Sequence, residues 1–157
     1  MSTEQKLTPE LHRKQVEAYA RELPAYETYK AVLRRVLGTA CRASFPEALV
    51  QARAKGVGSF AEKMARKFGK YPDAVNQLTD LRGARVIVQT TDQVSGVCEF
   101  IKANFIIAEE ENKESLLGVD QFGYRDMHFI VQLRPDRDLG ITPKERRVTE
   151  TRRSAAR

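Results

Sequence analysis

Residues 124–133, YRDMHFIVQL, alternate with a period of two, and this alternation constrains the fold more than any other stretch. In an extended chain Tyr124, Asp126, His128, Ile130 and Gln132 fall on one side, and Arg125, Met127, Phe129 and Val131 on the other. The second set suits a core, so the stretch reads as a strand with one buried face. Two shorter apolar blocks, Val86-Ile87-Val88 and Phe105-Ile106-Ile107, read as further strands, the first of them buried. Between them Val94, Val97, Phe100 and Ile101 recur at helical spacing, behind Thr91 or Asp92 as a cap. Upstream, Thr8-Pro9 opens a helix whose stripe is Leu11, Val16, Tyr19 and Leu23. Pro24 kinks or restarts it, and a second helix runs through Tyr26, Tyr29, Val32, Leu33, Val36 and Leu37 to about Ala43. Residues 48–55 alternate weakly and read as a strand, and Pro72-Asp73 opens a short helix to Leu78. Strands alternating with helices give an α/β or α+β class, a mixed sheet flanked by helices.

The chain of 157 residues is read as one domain. It divides into N-terminal helices over 1–44, a core over 45–136 and a basic tail over 137–157. The tail has no apolar periodicity and is expected to be disordered past about Asp136, leaving the strand at 124–133 with an exposed edge. Residues 109–114, EEENKE, read as an acidic solvated loop. Two cysteines, Cys41 and Cys98, are too few for a disulfide framework and read as reduced. The two histidines have no second ligand nearby, which argues against zinc. No apolar run reaches membrane-spanning length and no apolar signal segment opens the chain, so a cytoplasmic location is expected.

The net charge of +6 points to anionic partners. Cations concentrate between Ala52 and Arg85: Arg53, Lys55, Lys63, Arg66, Lys67, Lys70, Arg82 and Arg85 face only Glu62, Asp73 and Asp80. Within this stretch Gly56-Val57-Gly58 allows close backbone approach. Ser59 is expected to cap a helix over 60–68, with Glu62 completing a capping box. A helix N-terminus offers unpaired N–H groups and partial positive charge to a phosphate, and Lys63 follows Ser59 at i+4. Asp80 stands among cations just before a strand and is a reasonable ligand for Mg²⁺, which prefers oxygen and keeps most of its water. Taken singly, each feature has a structural explanation: a solvated basic face, a turn aspartate, a hydrogen-bonded strand histidine, an edge tyrosine.

Their joint spacing resembles the RelA/SpoT synthetase domain. The motifs are Arg53-Ala54-Lys55, Ser59 to Lys63, Asp80-Leu81-Arg82-Gly83-Ala84-Arg85, and Gly123-Tyr124 to His128, in order over residues 45–133. The resemblance is to a small single-domain alarmone synthetase. It implies a nucleotidyltransferase-like fold and GTP diphosphokinase activity, with pyrophosphate passing from ATP to the ribose 3′-hydroxyl of GDP or GTP, as in stringent-response signalling. It also implies roles: Arg53 stacking on adenine, Lys55, Ser59 and Lys63 holding ATP phosphates, and Arg85 near the donor. Asp80 would be catalytic through Mg²⁺, Tyr124 would stack on guanine, and His128 would serve the acceptor side. The implied partners are ATP and GDP or GTP; a second reading within the family takes the tRNA 3′ end as acceptor. A third is an impaired nucleotide-binding protein, and a homo-oligomer is a further expectation. Two departures stand out. Phe122 replaces the Asn often found before Gly-Tyr. The family's E-x-Q-x-R strand, with its catalytic Glu, has no match after Leu133, so the chain reads as truncated before it and weak transfer is expected.

Overall fold

The computed structural model describes residues 6–68, 70–78, 81–112, 126–149 and 153–156. One long helix, α1 (Pro9–Ser44), lies across a sheet, with Thr8 Oγ1 accepting from Leu11 N at its start. Of the kink or restart expected at Pro24, the restart does not occur: Pro24 sits inside one helix. An interior proline forfeits one backbone hydrogen bond and costs about 3 kcal/mol. Here Tyr19, Tyr26, Tyr29, Val32, Leu33, Val36 and Leu37 are buried along one stripe on both sides of it. Burial at about 25 cal/mol per Å² over so many large side chains outweighs that loss.

The strands are β1 (Leu49–Ala54), β2 (Arg82–Ile87), β3 (Phe105–Asn112), β4 (Met127–Leu133) and β5 (Arg153–Ala156), in the order β1-β2-β5-β4-β3. Among the described residues only β2 and β5 are parallel. Helix α2 (Val57–Lys67) and the short α3 (Ala74–Gln77) follow β1, and α4 (Thr91–Asn104) links β2 to β3. The main core packs Tyr29 to Leu37 of α1 and Val97 and Ile101 of α4 onto Ala84, Phe105, Phe129, Val131, Leu133 and Ala156. A second cluster joins Tyr19 and Tyr26 to Phe60 and Met64 of α2 and to Leu78 and Leu81. The mixed helix-and-strand class is as the periodicities imply, in two layers, with the helices on one side of the sheet.

Its other side is open among the described residues. Leu49, Gln51 and Arg53 of β1, Arg85 and Ile87 of β2, and Ile106, Glu109 and Glu111 of β3 are exposed. The strand at 86–88 is therefore not buried on both faces: Val86 is half-buried and Ile87 is 44% exposed. The acidic segment is also strand and not loop as far as Asn112, with 113 and 114 outside the described residues. A bulge between Ile107 and Glu109 lets it pair. The bulge keeps Ile107 opposite Val131 and brings Glu109 and Glu111 into the rows of Ile130 and His128 on the open side. Glu110 reaches Lys102 of α4 at 2.9 Å. The cap of α4 is Thr90, not Thr91 or Asp92, because its hydroxyl and the Gln93 side chain form a reciprocal capping box.

The tail overturns its expectation. Residues 143–149 form α5 (Pro143–Thr149), and β5 enters the sheet between β2 and β4. β4 is thus interior, and the sheet edges are β1 and β3. Arg-Ser-Ala-Ala has no apolar alternation; it is a strand because two ladders flank it and because Ala156, 3% exposed, fits against the core. α5 is held by Arg35 of α1, whose Nη1 and Nη2 donate to Glu145 Oε1 and Oε2 at 2.9 and 2.6 Å. Thr142 N also donates to Glu145 Oε2 at 3.0 Å. Arg146 ties the preceding turn by donating to the carbonyls of Pro135 and Arg137.

This clamp gives a pH expectation. Arg35, then the Thr142 amide, hold the Glu145 carboxyl down to about 2 from its ordinary 4.5. A depressed folded-state pKa stabilises docking fully above pH 4.5, and the contribution is lost as pH falls toward 2. Protection of the α5 amides against hydrogen exchange, taken relative to the intrinsic rate at each pH, should therefore fall over that window in the native chain. In Arg35→Ala it should be low already at pH 6.

Candidate functional site

β1 ends at Lys55, and two contacts fix that end. Lys55 N donates to Leu81 O at 2.7 Å, tying β1 to the start of β2, and the Tyr19 hydroxyl donates to Lys55 O. The chain then turns at Gly56 into α2. Gly56, not Ser59, is the N-cap, and no side chain among the described residues caps the helix. Ser59 lies in the first turn and is exposed, and Glu62 makes no capping box. The earlier start is set by packing: Phe60 must be buried, and it stacks on Tyr19 with ring centroids 4.2 Å apart. Its amide donates to Gly56 O at 2.9 Å, the first helical bond. The amides of Val57, Gly58 and Ser59 precede that bond, in the part of a helix whose donors seek an outside acceptor. Lys63 follows one turn later on the side of Ser59, half-buried.

Arg53 and Arg85 stand on the open side of the sheet. The register pairs Arg53 with Gly83 and Gln51 with Arg85, so the two guanidinium-bearing positions are diagonal neighbours, roughly 7–8 Å apart at the backbone. Gly83 opposes Arg53 without a side chain, which leaves that row clear on β2. Arg53 stands near the end of β1 with Lys55 just past it, Ser59 and Lys63 follow in α2, and Arg85 is the diagonal neighbour of Arg53 on β2. Asp80 lies outside the described residues; its neighbour Leu81 is the residue that bonds Lys55. Tyr124 and Gly123 also lie outside them.

His128 sits on β4, two strand spacings or about 9–10 Å from β2. Its Nε2 is 2.7 Å from Asp126 Oδ2, with both groups half-buried. The alternation of β4 is as the sequence implies, with Phe129, Val131 and Leu133 inward. His128 is therefore not beside the cationic group but across the sheet from it, with the row of Glu111 on its other flank. No described group of three His, Cys, Asp or Glu is placed to hold a metal.

Arg82 leaves the cationic set. It is 8% exposed, with its guanidinium carbon 4.6 Å from the Tyr26 ring centroid and 5.2 Å from that of Tyr29. Its place in a string of cations hid this; the signal was the parity of β2, which sets Arg82 opposite in face to Arg85. Arg82→Ala should lower stability by about 2 kcal/mol through lost cation–π contact and packing. Nucleotide affinity should stay the same, and urea melts beside ATP titrations read both quantities. Glu145, the tail carboxylate nearest in kind to a catalytic one, is committed to Arg35 on the helical side of the sheet and is no part of this site.

Comparison with known proteins bears on the family and the fold. The family model described as the region found in RelA/SpoT proteins matches residues 52–150. Among curated proteins no sequence matches. Among solved structures, a GTP pyrophosphokinase family protein from Streptococcus pneumoniae is 24% identical, with a TM-score of 0.59, over 96% of this chain and 69% of that one. The small alarmone synthetase 1 from Bacillus subtilis is 21% identical, with a TM-score of 0.63, over 89% and 70%. Its structure bound to its product pppGpp aligns over 89% and 71%, with a TM-score of 0.62. At these identities the likeness shows the fold, while the family match spans more than half of the chain. The chain belongs to the RelA/SpoT family.

Proposed function

We propose that the open side of the sheet binds ATP and a guanine nucleotide, GDP or GTP, and transfers pyrophosphate to the ribose 3′-hydroxyl. The observation that carries this reading is the side-chain-uncapped start of α2 set between Arg53-Ala54-Lys55 and Lys63. Backbone donors, two lysines and a hydroxyl follow one another there within a few residues of sequence, a set that suits a triphosphate. Transfer of this kind needs positioning and charge neutralisation more than covalent help. In this reading Arg53 stacks its planar guanidinium on adenine. Lys55, Ser59 and Lys63 hold the phosphates, and Arg85 neutralises donor charge. Tyr124 stacks on guanine, and His128, oriented by Asp126, contacts the acceptor across the sheet.

Mg²⁺ fits this arrangement, because it takes one or two carboxylates and completes its shell with phosphates and water. Asp80 would hold it, next in sequence to the residue that anchors Lys55, and bound Mg²⁺ would supply further charge neutralisation. Arg53→Ala and Lys63→Ala should each weaken ATP binding by roughly 1.5–3 kcal/mol, the value of a charge-assisted contact. Calorimetric titration checks this. Unchanged affinity in both variants would remove the site from this face.

A further inference from the structure

The backbone of Lys55 is held from two sides. Its N–H donates to Leu81 O at 2.7 Å, and its carbonyl accepts from the hydroxyl of Tyr19, 36 residues earlier in α1. Tyr19 is fully buried, so that carbonyl points inward, toward α1. A trans peptide sets its C=O and N–H in opposite directions, so the N–H of Gly56 points outward, away from α1. Gly56 is exposed, and among the described residues no acceptor meets this N–H. It stands next in the chain to the amides of Val57, Gly58 and Ser59, which open α2. The Tyr19 ring also stacks on Phe60 in the first turn of α2, 14° from parallel with centroids 4.2 Å apart. One side chain thus fixes the strand end and the helix start together. Earlier in α1, His12 Nε2 lies 3.2 Å from Ala61 O and adds a second tie to α2.

The local backbone alone does not choose this orientation. Turning the peptide over rotates ψ of Lys55 and φ of Gly56 by half a turn in opposite senses. Gly56 has φ −65°, and the flip takes it to positive φ, which glycine adopts about as readily as negative φ. Flipped, the peptide would show a carbonyl oxygen on the side where it now shows a donor, and an oxygen there repels phosphate. We propose that Tyr19 is a positioning residue for ATP: through the Lys55 carbonyl it keeps the Gly56 N–H turned outward as a further backbone donor to the phosphates. The inference rests on the reading of this face as the ATP site and adds to it a buried residue that touches no substrate.

The test titrates ATP and GDP calorimetrically into the full chain and records the amide spectrum of isotope-labelled protein at ATP saturation. In the unmodified chain ATP should move the Gly56 amide proton downfield, the mark of a bond donated to phosphate. Tyr19→Phe keeps the stack on Phe60 and removes the hydroxyl. It should weaken ATP binding about tenfold, the worth of a hydrogen bond to a charged acceptor, and leave GDP binding as it was. Tyr19→Phe/Gly56→Ala should regain most of the lost affinity, because alanine resists the positive φ of the flipped peptide. In the outward form its Cβ meets nothing within 4 Å. A hydroxyl that only stabilises the fold would lower the urea midpoint of Tyr19→Phe with ATP affinity unchanged, and the second substitution would restore nothing. An unmoved Gly56 amide, unchanged ATP affinity in Tyr19→Phe, or no recovery in the double variant would each overturn this inference and leave the ATP site standing. An unmodified chain that binds no ATP would overturn both.

Discussion

The double variant Arg153→Glu/Ala155→Gln should raise pyrophosphate transfer by roughly 10²–10⁴-fold, the contribution typical of a positioned general base. The register supplies the argument. The family's E-x-Q-x-R strand neighbours the strand that carries G-Y-x-x-x-H, and in this chain that neighbour is β5. Arg153-Ser154-Ala155-Ala156-Arg157 already ends in the motif's arginine. Positions 153 and 155 are the register partners of Gln132 and Ile130, in the set shared with His128, and 155 is also the partner of Gly83. Counting back, position 153 comes level with Leu81, the residue after Asp80. A carboxylate introduced there would enter at the end of the sheet where Lys55 and α2 meet β2. The graft therefore needs two substitutions and not a new tail. Initial rates with ATP and GDP measure it. Ala155→Gln alone should give little, and no gain in the double variant would show that the deficit lies elsewhere.

Ala156→Asp should largely unfold the protein. Ala156 is 3% exposed, paired to Ala84 on one side and Phe129 on the other, in the core cluster with Val97 and Leu33. An unpaired carboxylate in such a place costs about 3–5 kcal/mol, much of the 5–15 kcal/mol that a domain has. Ala156→Ser should cost far less, since the hydroxyl is neutral and small. Urea midpoints separate the two. A disordered tail would make both substitutions silent, so the pair also tests whether β5 is part of the fold.

What could be read in advance was whatever the chain specifies locally. β4 was legible because seven residues alternate and the apolar ones are large. The basic stretch proposed above to hold phosphate stands out in the sequence because Arg53 to Lys63 lie within eleven residues. Features imposed by neighbours were not. Four residues of Arg-Ser-Ala-Ala carry no strand signal; two flanking ladders make them a strand. Pro24 looks like a break until the tyrosines on either side are buried together. Gly56 replaces Ser59 as cap because Phe60 must reach Tyr19, a contact 41 residues away in sequence. Arg82 and Arg85 look alike in the string and face opposite sides of the sheet.

The central claim is that the open face of the sheet passes pyrophosphate from ATP to a guanine nucleotide. The most direct test incubates the purified full chain with Mg²⁺ and ATP labelled at the β-phosphate, offering GDP, GTP and tRNA in parallel. The account predicts slow transfer of label to GDP or GTP, none to tRNA, and loss of that transfer in Arg53→Ala. Label on tRNA, or transfer to guanine nucleotides that survives Arg53→Ala undiminished, would contradict it.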